Sequence, residues 1–181
     1  MPDNFKIEPL GKDHDRAAFS CGQDSLDRYL KTQAGQAVDK NLAAVFILTS
    51  DGKRIAGYYT LSAYVVKLDE IPEEIAKKLT RMQEVPATLL GRLARSVDHR
   101  GKGIGEILFV DALKKALQNS ARVASWAVIV EAKDEETAMF YKRYGFTSIP
   151  TNPNRLFLPM KSIEKMFAQE AEKASTLTAS H

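Results

Sequence analysis

Cysteine is all but missing from this chain. Cys21 is the single one in 181 residues, which excludes an internal disulfide and any multi-cysteine metal site. Histidine is nearly as scarce: His14, His99 and His181 are scattered without ligand spacing, so no metal is expected. No apolar run approaches the ~18 residues of a membrane span, and the start MPDNFKIEPLGKDHD does not have the form of a signal peptide. A cytoplasmic protein without a membrane partner is therefore expected. Charge of one sign is lacking too. A net +3 does not demand a nucleic-acid partner, although it leaves room for a local basic patch. There is no internal repeat, low-complexity tract or linker, and 44% hydrophobic residues over this length suffice for one substantial core. The expected organisation is a single domain over residues 1–160, with 161–181 forming an amphipathic helix and polar tail packed on it.

What is present centres on residues 91–118, GRLARSVDHRGKGIGEILFVDALKKALQ. The pattern runs from a strand through Arg100-Gly101-Lys102-Gly103-Ile104-Gly105 into a helix. Three alternate glycines let the backbone curl with its N–H groups inward, and the helix start adds unpaired amides and a positive dipole end. Such a concavity binds phosphate. It is neither a Walker loop nor a dinucleotide fingerprint, because Glu106 stands where the first needs Lys and the second needs Gly. A glycine-rich turn before an ordinary core helix is the other reading open at this point. The helix has a buried stripe of Ile107, Leu108, Ala112, Leu113, Ala116 and Leu117, with Asp111, Lys114, Lys115 and Gln118 on the wet face.

Elsewhere the spacing predicts a first strand over 4–10 and a helix from Ser20 or Asp24 to about Lys40. The basic residues Arg28, Lys31 and Lys40 on that helix read as a solvated face or as a wall for an anionic substrate. A hairpin with a tight Asp51-Gly52 turn joins strands 43–48 and 54–66. A short helix runs from Ile71 to about Met82, and Pro86 closes that insertion before the next strand. A doubly buried strand spans 121–131. Asp134-Glu135-Glu136 then opens a helix ending at Tyr144 before Gly145, and its Thr137, Phe140, Tyr141 and Tyr144 share one inward face. PNRLFLPM supplies a last strand, Ile163, Met166, Phe167 and Ala171 mark a C-terminal helix, and STLTASH is a polar tail.

Arg100-x-x-Gly103-x-Gly105 resembles the pyrophosphate loop of the GCN5-related N-acetyltransferases (GNAT). Phe140-Tyr141-Lys142-Arg143-Tyr144-Gly145-Phe146 resembles that family's later signature. Phe19-Ser20-Cys21-Gly22, then Leu26-Asp27-Arg28-Tyr29-Leu30, then Pro86 with Leu89-Leu90-Gly91-Arg92-Leu93-Ala94, are similar to a narrower branch, the acetyltransferase toxins of bacterial type II toxin–antitoxin systems. The resemblance covers about residues 19–146. It implies an α/β fold with a central mixed sheet, splayed parallel strands and flanking helices. It implies acetyl-CoA as cosubstrate, with the pyrophosphate on the backbone of Arg100, Gly101, Lys102, Gly103, Ile104 and Gly105. Pantetheine would run along Ala94 and Arg95, and Thr137 and Phe140 would add cofactor contacts. Arg95 departs from the small aliphatic residue usual after Leu-Ala, which is harmless only if the contact is through the backbone.

The resemblance also selects Tyr141 as the acid. Acetyl transfer to an amine needs a neutral nucleophile and a proton for the leaving thiolate. A free α-amine, of pKa about 7.7–8.0, is partly neutral near pH 7, and a phenol of pKa about 10 is protonated there and able to donate. On helix spacing alone, the other reading of Tyr141 is a packed core aromatic with its hydroxyl satisfied, and Tyr144 is assigned to packing. Glu131 is a lesser candidate for a proton relay. The branch implies an aminoacyl-tRNA substrate held by Arg92, with Arg95, Arg100 and Lys102 adding charge that alternatively serves the CoA phosphates. It further implies a ribbon-helix-helix antitoxin and a homodimer. The rival readings are a housekeeping acetyltransferase acting on a small amine or a protein N-terminus, and a non-catalytic CoA- or RNA-binding module.

Overall fold

A computed structural model describes residues 4–79 and 82–180. Seven strands in the order β1-β2-β3-β4-β5-β7-β6 form the sheet: β1 Lys6–Pro9, β2 Ala44–Thr49, β3 Gly57–Lys67, β4 Glu84–Arg95, β5 Ala127–Glu131, β6 Thr147–Ile149 and β7 Asn152–Pro159. The helices are α1 Asp24–Thr32, α2 Ala34–Asp39, α3 Glu73–Leu79, α4 Ile104–Ser120, α5 Glu135–Arg143 and α6 Met160–Ala179. This is the expected mixed sheet with helices. Two compact units divide the chain, Met1–Ala63 with Leu89–Ala112, and Tyr64–Thr88 with Leu113–His181.

In the first unit, β1 and β2 pair antiparallel, as do β2 and β3. The connection between β2 and β3 is wider than a tight hairpin turn. Asp51 Oδ1 accepts the amides of Lys53 and Arg54, each at 2.8 Å, and this carboxylate loop delays β3 to Gly57. The helix expected through Lys40 breaks at Gln33, whose φ of −120° leaves the helical region. Thr32, the last residue of α1, donates its Oγ1 back to the Arg28 carbonyl at 2.7 Å. Tyr29, Leu30 and Ala34 from these helices join Phe19, Val45, Ile47, Tyr58 and Ala94 in one buried cluster.

Helix α4 is apolar over more of its girth than the stripe suggests. Phe109 is fully buried alongside Leu108, Ala112 and Leu113, while Ile107 and Leu117 are half-buried. Asp111, expected on the wet face, is half-buried instead and accepts a 2.6 Å hydrogen bond from the Tyr59 hydroxyl. Burial and this carboxylate push the Tyr59 phenol well above its ordinary value, so it stays a donor.

In the second unit, β5 is shorter than expected. Residues 121–126 are used to end α4, with Arg122 and Val123 donating to the Asn119 carbonyl, each at 2.9 Å. Once the strand starts, Ala127 to Val130 are all buried, as a strand covered on both faces must be. Its antiparallel register with β7 sets Glu131 opposite Arg155. Pro86 lies inside β4 rather than before it. Near the strand start its missing N–H is tolerated, and its carbonyl accepts the Trp126 amide at 2.8 Å. Helix α3 ends at Leu79, and Met82 is non-helical; the stretch between them lies outside the described residues. The expected polar tail is helical as far as Ala179, with Thr176, Thr178 and Ser180 donating their hydroxyls to carbonyls four residues back. His181 lies outside the described residues.

Gly57 decides how near α4 comes to β3. A Cβ there would stand 2.6 Å from Leu108 Cδ1, 2.9 Å from the Ala94 carbonyl oxygen and 3.3 Å from Ile104 Cγ2. One of these contacts is backbone and cannot swing aside. Overpacking of this kind costs about 1–3 kcal/mol, and in a chain of this size each kcal/mol moves Tm by about 2–4 °C. Gly57→Ala is expected to lower Tm by several degrees in a thermal unfolding scan.

Candidate active site

The turn between β4 and α4 is built in steps. Ser96 donates its amide to Ala56 at 2.8 Å, and Val97 donates its own to Ser20 at 2.9 Å. A single 3-10 turn, Val97–His99, follows, with Ser96 Oγ accepting the Asp98 amide. The chain then passes through Gly101 at φ +75° and Gly103 at φ +71°. Side chains in this left-handed region cost roughly 1–2 kcal/mol each. The Gly103 carbonyl accepts the Ile107 amide at 3.1 Å and so opens α4.

Gly105 differs from the other two. It lies inside the first turn of α4 and needs no special φ, so only two of the three glycines make the curl. At all three, a Cβ would meet nothing within 4 Å. Internal packing therefore does not explain their missing side chains: positive φ accounts for Gly101 and Gly103, and Gly105 leaves open space beside the first turn of α4. Amides of the first helical turn have no intrahelical acceptor, so the cradle fits a pyrophosphate.

The Ser20-Cys21-Gly22 turn borders this loop. Asp27 holds it by accepting the Cys21 amide at 2.9 Å and the Ser20 hydroxyl at 3.4 Å. A Cβ on Gly22 would lie 3.5 Å from an Arg100 guanidinium nitrogen, which places that side chain over the turn. Burial, and after it Asp27, push the Cys21 thiol up to about 11, so it is no nucleophile at neutral pH.

Along β4, Ala94 is buried in the core cluster, and Arg92 and Arg95 are half-buried. Arg95 Nε is buried without a hydrogen-bond partner, so the departure from a small aliphatic residue places a charged side chain partly inside the fold. Arg92 stacks on Tyr29, its guanidinium carbon 3.6 Å from the ring centroid. Tyr29 was legible as a core residue of its helix, but nothing in its spacing pairs it with Arg92. The two line a cleft of ≈ 380 Å³ with residues of α2, β3 and β4.

Helix α5, in the second unit, is closed at both ends. Asp134 Oδ1 accepts the Thr137 amide at 2.7 Å, the N-cap expected. At the other end the Gly145 amide donates to Lys142 and the Phe146 amide to Tyr141, with Gly145 at φ +94°. This is a Schellman stop. Between them Ala138 and Tyr141 are buried, while Thr137, Phe140 and Tyr144 are half-buried flanks of the expected inward face. Tyr141 is 8% exposed, and its ring meets Phe140 at 5.4 Å and Phe146 at 5.5 Å between centroids. Burial pushes its phenol up to about 12, so it keeps its proton throughout the physiological range. Glu131 is held by Arg155, whose Nη2 and Nε donate to one carboxylate oxygen at 2.7 and 3.0 Å. That ties down the lesser relay candidate. No cluster of metal-ligating side chains occurs among the described residues, and none of their helices is long and apolar enough to cross a membrane.

A glycine turn at a helix start after a long strand, in the first unit, and a buried phenol on a doubly capped helix, in the second, are each features that an acyl-CoA transferase can use. The family model described as an acetyltransferase (GNAT) domain matches residues 41–148, and the chain belongs to that family. It is 30% identical over 169 residues to a probable toxin TacT of Sinorhizobium fredii, covering 88% of this chain and 93% of that protein. It is 32% identical over 147 residues to a tRNA-acetylating toxin of Mycobacterium tuberculosis, covering 81% and 87%. Among solved structures, the toxin AtaT complexed with acetyl-methionyl-tRNAfMet aligns with TM-score 0.83 and 30% identity, over 90% of this chain and 99% of that one. AtaT has also been solved with acetyl-CoA and with the C-terminus of its antitoxin AtaR.

The cradle is directly testable. Gly103→Ala adds a Cβ at φ +71°, and the expected result is a KM for acetyl-CoA raised about tenfold or more, since roughly 1–2 kcal/mol of backbone strain is added to the loss of close approach. Steady-state kinetics at varied acetyl-CoA reads it.

Proposed function

We propose that this chain transfers an acetyl group from acetyl-CoA to the α-amine of the amino acid on a charged transfer RNA, and so acts as a toxin that blocks translation. Tyr141 is the observation that carries the acetyl-transfer step, and the likeness to AtaT, solved with acetyl-methionyl-tRNAfMet, supports the substrate. A buried phenol held at about 12 is a proton reservoir that stays full at cellular pH, which is what a departing thiolate needs. In the reaction the amine nitrogen bonds to the acetyl carbon and the carbon–sulfur bond breaks. The sulfur takes a proton from Tyr141, and the proton that the amine gives up passes to solvent, from which the phenolate is reprotonated, so the products are the amide and the free thiol and the enzyme is restored.

The other roles follow from placement. Arg100, Gly101, Lys102, Gly103, Ile104 and Gly105 seat the diphosphate, chiefly by backbone amides. Ala94 and Arg95 offer strand backbone to the pantetheine amides, and Thr137 and Phe140 are further cofactor contacts from α5. Arg92, stacked on Tyr29, holds the transfer RNA end, where a planar cation serves phosphate and base alike. The similarity to AtaT, solved with acetyl-methionyl-tRNAfMet and with an antitoxin, supports both the substrate and a protein partner. The assignment extends to a ribbon-helix-helix antitoxin, a homodimer and a cytoplasmic setting.

Incubation with acetyl-CoA and bulk charged transfer RNA should yield N-acetylated aminoacyl ends by mass spectrometry. Tyr141→Phe is expected to lower kcat by about 10²–10⁴-fold with little change in the melting curve, and to abolish growth arrest on induced expression. An active enzyme whose induction leaves growth normal would point to a housekeeping substrate instead.

The pH dependence has a definite sign. The raised phenol value means the acid form is present below about 12, while the amine becomes reactive as it loses its proton. Over pH 6 to 10, kcat/KM should therefore rise to a plateau without an alkaline fall. A descending limb near pH 9 would remove Tyr141 as the acid.

A further inference from the structure

We propose that the exposed half of α6 is a self-association surface, on which a second copy of this chain lies antiparallel through the same half of its own α6. This rests on the homodimer named above and gives it a place on the molecule, whichever amine is acetylated.

Helix α6 runs from Met160 to Ala179, wholly beyond residues 41–148 of the acetyltransferase domain. One face carries its apolar side chains at three-and-four spacing: Ile163, Met166, Phe167, Ala171, Ala174 and Leu177. Burial along that face falls in one direction. Ile163 is fully buried where the helix packs on β7, Met166 and Phe167 are half-buried, and every residue from Ala168 to Ser180 is exposed. Leu177, near the far end, is 71% exposed. The apolar face therefore continues for about three turns after its own packing has ended. A helical segment of that length is marginal in water without tertiary support. The hydroxyls of Thr176, Thr178 and Ser180, bonded back to the preceding turn, do not strengthen it. A partner along the face supplies what is missing.

The charges select the partner. Glu170 and Lys173 are both exposed and, three residues apart, share one flank of the apolar face. A two-fold axis passing between Ala171 and Glu172, normal to the helix, sets Glu170 of each copy opposite Lys173 of the other. The same axis lays Leu177 of each copy on Met166 of the other, with Phe167 one position away. Ala171 and Ala174 lie between, small enough for the helix axes to approach to about 8 Å. One symmetry operator thus satisfies the apolar and the charged positions together, as an isologous contact requires. Parallel pairing would instead put like charges on each other at both positions. The overlap from Met166 to Leu177 is about 18 Å long, too short to bury the ~800 Å² per partner of a standard interface. The dimer is accordingly of the concentration-dependent kind.

Sedimentation velocity on the full chain from about 1 to 200 μM, the range suited to so small a contact, is the test. The wild type should pass from monomer to dimer. Leu177→Glu changes the contact twice per dimer and is expected to raise the dimer Kd at least about a hundredfold. Glu170→Lys and Lys173→Glu each turn opposite-charge pairs into like-charge ones, and each should raise Kd about tenfold. The double variant Glu170→Lys/Lys173→Glu should return it to the wild-type value, which a foreign partner's surface could not do. Wild-type protein that stays monomeric throughout would remove the inference and the homodimer together, leaving the face to a different protein. A dimer that survives Leu177→Glu, or a double variant as weak as either single one, would keep the homodimer and remove the inference.

Discussion

The missing side chain at position 57 sets how closely helix α4 rests against strand β3, and the glycine turn proposed to seat phosphate is the direct continuation of that contact. The atoms that would collide with a Cβ belong to Ile104, Leu108 and the Ala94 carbonyl, which lie at the helix start, one turn further on, and at the end of β4. A helix held this close presents its first-turn amides at a fixed position, and a rigid array of donors binds an anion better than a mobile one. Tyr59 and Asp111 add a buried polar tie between the same two elements. Breaking it from either side would leave a group that needs a partner.

Carboxylates in this protein act mainly as local ties. Asp27 gathers the Ser20-Cys21 turn, Asp51 the loop before β3, and Asp134 the first turn of α5. Hydrogen bonds to the charged form hold the Asp51 and Asp134 carboxyls below the usual range. None of these groups is placed for base catalysis, and Glu131 is occupied by Arg155. The chemistry proposed needs no strong base, because a free α-amine already loses its proton near neutral pH. The demanding step is protonation of sulfur, and burial of Tyr141 keeps the phenol charged with its proton for it.

Local signals carried a good deal of this. The glycine turn, the Asp134 cap, the Gly145 stop and the apolar run ending at Glu131 are each written in a few adjacent residues, since the forces behind them act over one turn of helix or one strand. Element ends were less legible. The break at Gln33 is a single backbone angle outside the helical region, and the late start of β5 depends on how α4 unwinds at Asn119; neither leaves a periodic trace. Pro86 read as a boundary because its missing N–H is a local fact, whereas its place within β4 depends on what its neighbours donate.

The sequence by itself determined the fold class, the family, the glycine turn before α4 and the capped helix that carries Tyr141, because periodicity and short motifs report interactions between residues close in the chain. The tertiary structure alone decided that Arg92 lies on Tyr29, that Asp111 answers Tyr59 and that Gly57 is the point of closest approach. Those pairings join residues far apart in sequence, and only the folded chain brings them within the few ångströms over which stacking, hydrogen bonding and steric exclusion operate.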